Sequence, residues 1–408
     1  MFQPTMAFSQ SMLCLYFITF TCFMHITKPS NLNVTDTLLQ GQQLTTTDRL
    51  VSSVGYYTLS FSQYEGSEGF YLGIRGSAEY SNTSNFWIAN RDKPFHDPAP
   101  VLTIDEYGNL KIVSNGGRNS TVMLYSSSQA AESDYNNSTI VNAILKDDGN
   151  FMLCEMNQDG SMKRVLWQSF DYPSFVIIPK MKLGFNRKTG HNWSITSWRS
   201  QKSPSSGSFS LGLDHKTKEM VMWWRGKIVW SSGQWSNGSF ANLKSSLYQK
   251  DFVFEYYSDD DETYVTYVPL SYFYIKPSGS IYGGVSGASY SCIDNNYSLS
   301  GCSLPSPPKC RDDDSLYWGS WSSYGVMSRK GFKFDESENL TNFDCWMKCL
   351  NNCTCEAYSY VNEDETGCEI WSKGTAKFSG TNSWITGSRQ IYFLNRKKGK
   401  CIQLINPQ

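Results

Sequence analysis

Short apolar runs alternate with polar residues and are broken every few positions by Gly, Asn, Asp or Ser, which predicts a mainly β chain ending in a small α+β module. Composition agrees: aromatics make up 15% of the 408 residues and charged residues only 18%, and aromatic side chains pack well on pleated sheets. The third observation is the segment Cys345 to Cys368 (CWMKCLNNCTCEAYSYVNEDETGC), which sets five cysteines in 24 residues around the best helical periodicity in the chain.

At the N-terminus, Met12 to Met24 (MLCLYFITFTCFM) is an apolar run of 13 residues, too short to span a bilayer and of the length of a signal-peptide core. A signal peptide is expected over residues 1–28, although the residues before the run lack Lys and Arg and Met6 offers an alternative start. No later run reaches the roughly 18 apolar residues of a membrane helix, so the mature chain is expected to be soluble. Ten Asn-x-Ser/Thr acceptors follow, at Asn33, Asn82, Asn119, Asn136, Asn137, Asn192, Asn237, Asn296, Asn339 and Asn352. Adjacent Asn136 and Asn137 are not both expected to be used, and Asn137 is the preferred site of the two. A glycan is bulky and solubilising, so each used acceptor marks a solvated loop or strand face. Leader and acceptors together predict passage through the secretory pathway, an extracellular location in the cell wall or apoplast, and oxidised cysteines.

Past the leader, a chain of this length suggests two or three domains. The formal charge of −1 argues against a nucleic-acid partner, which asks for a basic face. From Asn33 to about Phe170, strands are expected at Gly55 to Phe61, Gly69 to Ile74, Phe86 to Ala89 and Val101 to Ile104. A weak repeat relates Leu102–Val113 (LTIDEYGNLKIV) to Ile144–Cys154 (ILKDDGNFMLC), with Gly108-Asn109 matching Gly149-Asn150 in a tight turn that opens each alternating strand. A second β region, from about Tyr172 to Gly287, is expected to hold strands at Trp193 to Trp198, Ser206 to Leu213, Glu219 to Trp224, Lys227 to Trp230, Phe252 to Tyr257 and Tyr264 to Val268. It holds six of the 13 Trp residues, which on strands read as core rather than as sugar platforms. The acidic run Asp259 to Glu262 lacks the spaced ligands and turn Gly of a calcium loop and reads as a solvated hairpin tip.

Between Ser291 and Asp314 the composition shifts to Cys, Ser, Pro and Asp, with Cys292, Cys302 and Cys310 in a connector stiffened by Pro305, Pro307 and Pro308. In the last region, to about Asn395, Phe343 to Leu350 is the helix candidate, with Cys345 and Cys349 on one face. Spacing alone leaves the pairing of these cysteines open. A zinc cluster is the competing reading, but no His lies in this region. A basic cluster, Arg396-Lys397-Lys398-Gly399-Lys400, leads into the final residues, where Cys401 has no evident partner in the sequence.

The segments DTLLQGQQL (Asp36 to Leu44), WIANRD (Trp87 to Asp92), DDGNFML (Asp147 to Leu153), LWQSFDYP (Leu166 to Pro173), SWRSQKSPSSGSFSL (Ser197 to Leu211) and the Cys345 to Cys368 pattern carry a resemblance. The chain is similar to the extracellular part of plant S-domain (G-type lectin) receptor-like serine/threonine kinases and to S-locus glycoproteins. That resemblance implies a mainly β fold: tandem bulb-type lectin-like β-prism domains followed by a small α+β PAN/apple domain. Boundaries are expected at 29–168 (lectin), 169–290 (S-locus glycoprotein), 291–314 (reduced EGF-like connector), 315–395 (PAN/apple) and 396–408 (tail). It further implies that Cys345 pairs with Cys368 and Cys349 with Cys355, leaving Cys353 for a cysteine of the connector.

Mannose-binding relatives use a Gln-x-Asp-x-Asn-x-Val-x-Tyr strand. The corresponding residues here are Asp105, Tyr107, Asn109, Lys111 and Val113 in the first copy, and Lys146, Asp148, Asn150, Met152 and Cys154 in the second. Asp105, Asn109, Asp148 and Asn150 are therefore the candidate carbohydrate residues. Most of the motif's polar groups are missing, which would leave sugar hydroxyls unpaired at roughly 1–3 kcal/mol each, so a mannose-type lectin is an alternative reading only.

No catalytic residues, metal site or cofactor are expected. Kinase signature motifs are absent, His96, His191 and His215 each stand alone in polar contexts, and no carboxylate pair is singled out. The leading expectation is a secreted recognition glycoprotein for an extracellular peptide or glycan, or for a receptor-kinase ectodomain, alone or in a homo- or heterodimer. The alternative is a truncated product of a membrane receptor-kinase gene, located at the plasma membrane if a longer isoform exists.

Overall fold

A computed structural model of the chain describes residues 35–65, 67, 69–76, 85–97, 99–114, 121–129, 140–243, 253–268, 272–283, 287–293, 299–311, 321–375, 377–381 and 387–394. The chain is mostly β. Its first seventeen described residues show how sequence spacing builds a three-sided core. Leu38, Leu44 and Leu50 recur every six residues, each on a short strand (Thr37–Leu39, Gln43–Leu44, Arg49–Val51), and each strand edges a different four-stranded antiparallel sheet. The remaining strands of these sheets are Tyr57–Ser62, Tyr71–Gly76 and Asn85–Ile88; Val101–Ile104, Leu110–Val113 and Thr121–Tyr125; and Ile140–Leu145, Phe151–Met156 and Met162–Gln168. The inward side chains of all three sheets meet in one apolar cluster that includes the three leucines, Trp87 and Trp167. Burying a leucine contributes about 1.5–3 kcal/mol, so the three edge strands are fastened by their single inward residues.

Hairpin turns repeat the same chemistry. Gly108 and Gly149 have φ of 78° and 87°, each following a turn in which its N–H bonds back three residues, to Asp105 O or Lys146 O. At Gly149 a side chain is excluded twice over, because a Cβ would also lie 2.8 Å from the Tyr57 ring.

The second group again forms three four-stranded antiparallel sheets. One joins Val176–Ile177, Phe273–Ile275, Ile281–Gly283 and Ala288–Tyr290. The next joins Asn192–Trp193, Lys182–Asn186, Glu262–Tyr267 and Phe254–Ser258. The third joins Ile195–Trp198, Ser206–Leu213, Met220–Trp224 and Lys227–Ser231. The expected strand Trp193 to Trp198 is in fact two, broken at Ser194, so that its halves serve different sheets at a corner. Lys182–Asn186 was not anticipated. Gly184 interrupts its alternation for a packing reason: a Cβ there would lie 2.1 Å from the Thr263 carbonyl. The acidic run is a hairpin tip in which the Asp259 carboxylate accepts the N–H groups of Asp261 and Glu262. Among the described residues no cluster of three or more His, Cys, Asp or Glu could hold a metal.

The C-terminal module is a sheet in the order Phe332–Lys333, Glu369–Ser372, Cys355–Ser359, Arg389–Phe393, Trp321–Met327, Phe378–Gly380, with a ten-residue helix, Asn342–Asn351, packed on it. Phe343, Trp346, Met347 and Leu350 follow helical spacing and are all buried. The helix starts in a capping box: Thr341 Oγ1 accepts the Asp344 N–H, and Asp344 accepts the Thr341 N–H. Among the described residues four disulfides are present, Cys292–Cys302, Cys310–Cys353, Cys345–Cys368 and Cys349–Cys355. Two therefore tie the helix to neighbouring strands and one ties its exit to the connector. Cys154 is a buried free thiol.

Candidate functional site

The four candidate carbohydrate residues sit at the starts of two equivalent strands and are brought together in pairs, each pair engaged by its own hairpin. Asp105 Oδ1 accepts the N–H groups of Tyr107 and Asn109. Its Oδ2 accepts from Asn109 Nδ2 at 3.0 Å and Lys111 Nζ at 2.7 Å. Burial raises the Asp105 carboxyl, but the Lys111 ammonium and the Asn109 bonds outweigh it and hold the group below the usual carboxylate value. Asn109 Oδ1 accepts the N–H and hydroxyl of Ser127.

In the second copy Asp148 accepts the Asn150 N–H and the Lys180 ammonium, at 3.0 Å. Asn150 is buried. Its amide donates to Gln168 Oε1 and its Oδ1 accepts from Ser169 Oγ and the Phe170 N–H. In both copies the asparagine joins its turn to the segment 18 to 20 residues later. Met152 and Cys154 continue the second strand with apolar side chains.

The acceptors Asn192, Asn237 and Asn339 are exposed and Asn352 is half-buried; Asn33, Asn82, Asn119, Asn136, Asn137 and Asn296 lie outside the described residues, as does Cys401. The three histidines are far apart in role. His96 is exposed, His191 Nε2 donates to the Asp171 carbonyl, and His215 stacks on Phe185 with Nε2 2.6 Å from Asn192 Oδ1.

Residues that sequence reasoning quoted only as motif letters turn out to join the groups of sheets. Arg91, only 8% exposed, points its guanidinium at five backbone carbonyls of the second group: Pro204 and Thr196 and Ser197 at 2.8 Å, Ser174 at 3.1 Å and Ser205 at 3.4 Å. Burial pushes its pKa down to about 10. Neighbouring Asp92 accepts the N–H and hydroxyl of Ser206. WIANRD and SWRSQKSPSSGSFSL are thus two sides of one clasp.

A second clasp holds the C-terminal module. The hairpin tip Arg225-Gly226 has φ of 46° and 79°, as a two-residue turn between twisted strands requires. It extends the Arg225 guanidinium onto Asp344 in a bidentate pair, at 2.9 and 2.6 Å, while Trp224 Nε1 donates to the same carboxylate at 2.7 Å. The Asp344 hydrogen bonds raise the Arg225 pKa. A third arginine, Arg311, donates to the carbonyls of Cys349, Leu350, Asn352 and Cys355 and so caps the helix C-terminus. The Thr341-x-x-Asp344 spacing was the signal in the sequence that could have marked the start of this helix, though not its Arg225 partner.

These features define a lectin-like ectodomain with a disulfide-bonded PAN-like module. The D-mannose binding lectin family model matches residues 84–199, and the PAN-like domain model matches residues 331–377. In Arabidopsis thaliana, the G-type lectin S-receptor-like serine/threonine-protein kinase At1g67520 is 36% identical over 374 residues, covering 87% of this chain and 43% of that protein. The corresponding kinase CES101 is 33% identical over 407 residues, covering 88% and 46%. S-locus-specific glycoprotein S6 of Brassica oleracea is 27% identical over 393 residues, covering 84% of this chain and 87% of that one. The chain spans less than half the length of the two kinases. It is a homologue of the G-type lectin S-receptor-like kinases and the S-locus glycoproteins. It carries lectin and PAN-like domains.

Proposed function

We propose that the chain acts outside the cell as a glycosylated recognition module for a peptide, a glycan or the ectodomain of a homologous receptor kinase, and performs no catalysis. The observation that carries this reading is the pair of clasps at Arg91 and Asp344. They hold two lectin-like groups and a cross-linked PAN-like module in fixed register, as a composite binding surface needs. The proposed divisions of the chain are a leader (1–28), a lectin domain (29–168), an S-locus glycoprotein domain (169–290), a connector (291–314), a PAN/apple domain (315–395) and a basic tail (396–408). Among the described residues no helix is long and apolar enough to cross a membrane. A mannose-type lectin is the weaker reading, because the polar atoms of Asp105, Asn109, Asp148 and Asn150 are engaged within the protein.

The test uses the glycoprotein expressed through a secretory host and immobilised. It is probed with purified ectodomains of homologous receptor kinases and with a glycan array. Saturable binding to an ectodomain supports the reading. A signal confined to mannosides that is lost in Asp148→Ala and Asn150→Ala would replace it with the lectin.

A further inference from the structure

Where the first and second groups of sheets meet, a cleft of about 140 Å³ opens beside the Arg91 clasp. Its walls are aromatic. Phe86 from the first group faces Phe175, Trp198, Tyr272 and Tyr274 from the second. The rings hold one another: Phe86 meets Tyr272 edge-on at 5.6 Å, and Phe175 meets Trp198 at 5.1 Å and Tyr274 at 6.4 Å. Tyr64 backs Trp198 at 5.0 Å, and its hydroxyl accepts from Asn85 Nδ2, which orients that amide at the cleft wall. Gly73 is required for this arrangement, since a Cβ there would lie 2.4 Å from Asn85 Nδ2. Burial raises the Tyr274 hydroxyl to about 12, so it stays neutral at any physiological pH.

Size and chemistry select the occupant. An engineered apolar cavity of about 150 Å³ in another protein accommodates one benzene, so this cleft has room for a single six-membered ring. Among the described residues that line it, none is charged, which disfavours a carboxylate, phosphate or ammonium group. The polar side chains at the wall are few, and Ser200 is already engaged: its hydroxyl donates to the Asp364 carbonyl and accepts the N–H groups of Lys202 and Ser203. A pyranose would bury several hydroxyls against only Asn85, Gln201 and the Tyr272 and Tyr274 hydroxyls, whereas an aromatic ring asks only for edge and face contacts with the walls.

We propose that this cleft is a socket for one aromatic ring, the Tyr or Phe side chain of a peptide. The proposal deepens the recognition reading and rests on it. Since both sheet groups supply walls, the socket exists only while the Arg91 clasp is closed.

Ligand-observed saturation-transfer NMR on the secreted glycoprotein tests this with N-acetyl-tyrosine amide and methyl α-mannoside as probes. The amide should give a saturable signal and the mannoside none. Tyr274→Ala, which removes one wall, should weaken the amide by about tenfold or more, while Tyr274→Phe should stay within about twofold. If Tyr274→Ala is not secreted, Gln201→Trp on the exposed rim supplies the comparison and should obstruct entry to the same extent. No saturable amide signal, a mannoside that displaces the amide, or a Tyr274→Ala protein that binds like the wild type would overturn the socket. A chain that captures a receptor ectodomain but not the amide would remove the socket alone and leave the recognition reading standing.

Discussion

Arg91 offers the sharpest perturbation because its partners are all backbone carbonyls on the other side of a junction. Arg91→Met keeps most of the side-chain volume and deletes the donors. Of the five carbonyls, Ser174 O still accepts the Thr196 N–H and Ser205 O the Arg199 N–H, both at 2.8 Å, whereas Pro204, Thr196 and Ser197 lose their guanidinium partner. At about 1–3 kcal/mol for each buried group left unpaired, three losses amount to about 3–9 kcal/mol. Removing the guanidinium also relieves its own desolvation, visible as its lowered pKa, so the lower part of that range, about 3–5 kcal/mol, is the expected destabilisation. In a chain of this size that corresponds to a fall in Tm on the order of 2 °C per kcal/mol. Calorimetry of the purified protein measures it, and limited proteolysis at Ser200–Ser206 should accelerate in parallel. Arg91→Lys should recover little, because one ammonium cannot serve carbonyls spread across a planar fork. An Arg91→Met protein within about 0.5 kcal/mol of wild type, with the 200–206 segment still protected, would refute the clasp.

The remaining predictions concern the other ion pairs. Arg225→Ala leaves the nearly buried Asp344 carboxylate with its Thr341 and Trp224 donors but no counter-charge, and should cost about 2–4 kcal/mol in denaturant unfolding; equal stability would remove the second clasp. The Asp105 carboxyl has a folded pKa below its ordinary value of 3.8, so its contribution is present above that value and is lost as pH falls through the lower folded pKa. Wild type should therefore lose stability relative to Asp105→Asn in an acid titration below about pH 4, and parallel curves would contradict the Lys111 and Asn109 contacts.

The β character and the helix were legible in the sequence because both rest on local periodicity. Phe343, Trp346, Met347 and Leu350 mark a helical face within eight residues, and Ser206–Leu213 reads as a strand on its own and is one. The split at Ser194 and the strand around Gly184 were not legible, because each is decided by a distant segment: the sheet each half joins, and the backbone of Thr263. The clasps were hidden for the same reason. Arg91 meets partners 83 to 114 positions away, and nothing in the letters WIANRD says that the arginine is buried. For the candidate sugar residues, the motif comparison identified missing groups, and the structure shows what the surviving ones do instead: Asn109 and Asn150 each bridge a turn to the segment 18 residues later.

The central claim is that this polypeptide matures outside the cytosol, where its sulfurs become cross-links that hold a binding surface. Peptide mapping of non-reduced protein purified from extracellular fluid, before and after enzymatic deglycosylation, tests it most directly. The account predicts links Cys292–Cys302, Cys310–Cys353, Cys345–Cys368 and Cys349–Cys355, a free thiol at Cys154, and glycan-bearing peptides at exposed acceptors such as Asn237 and Asn339. Native protein recovered only from inside the cell, without sugar and with Cys345, Cys349, Cys355 and Cys368 all open to alkylation, would contradict it.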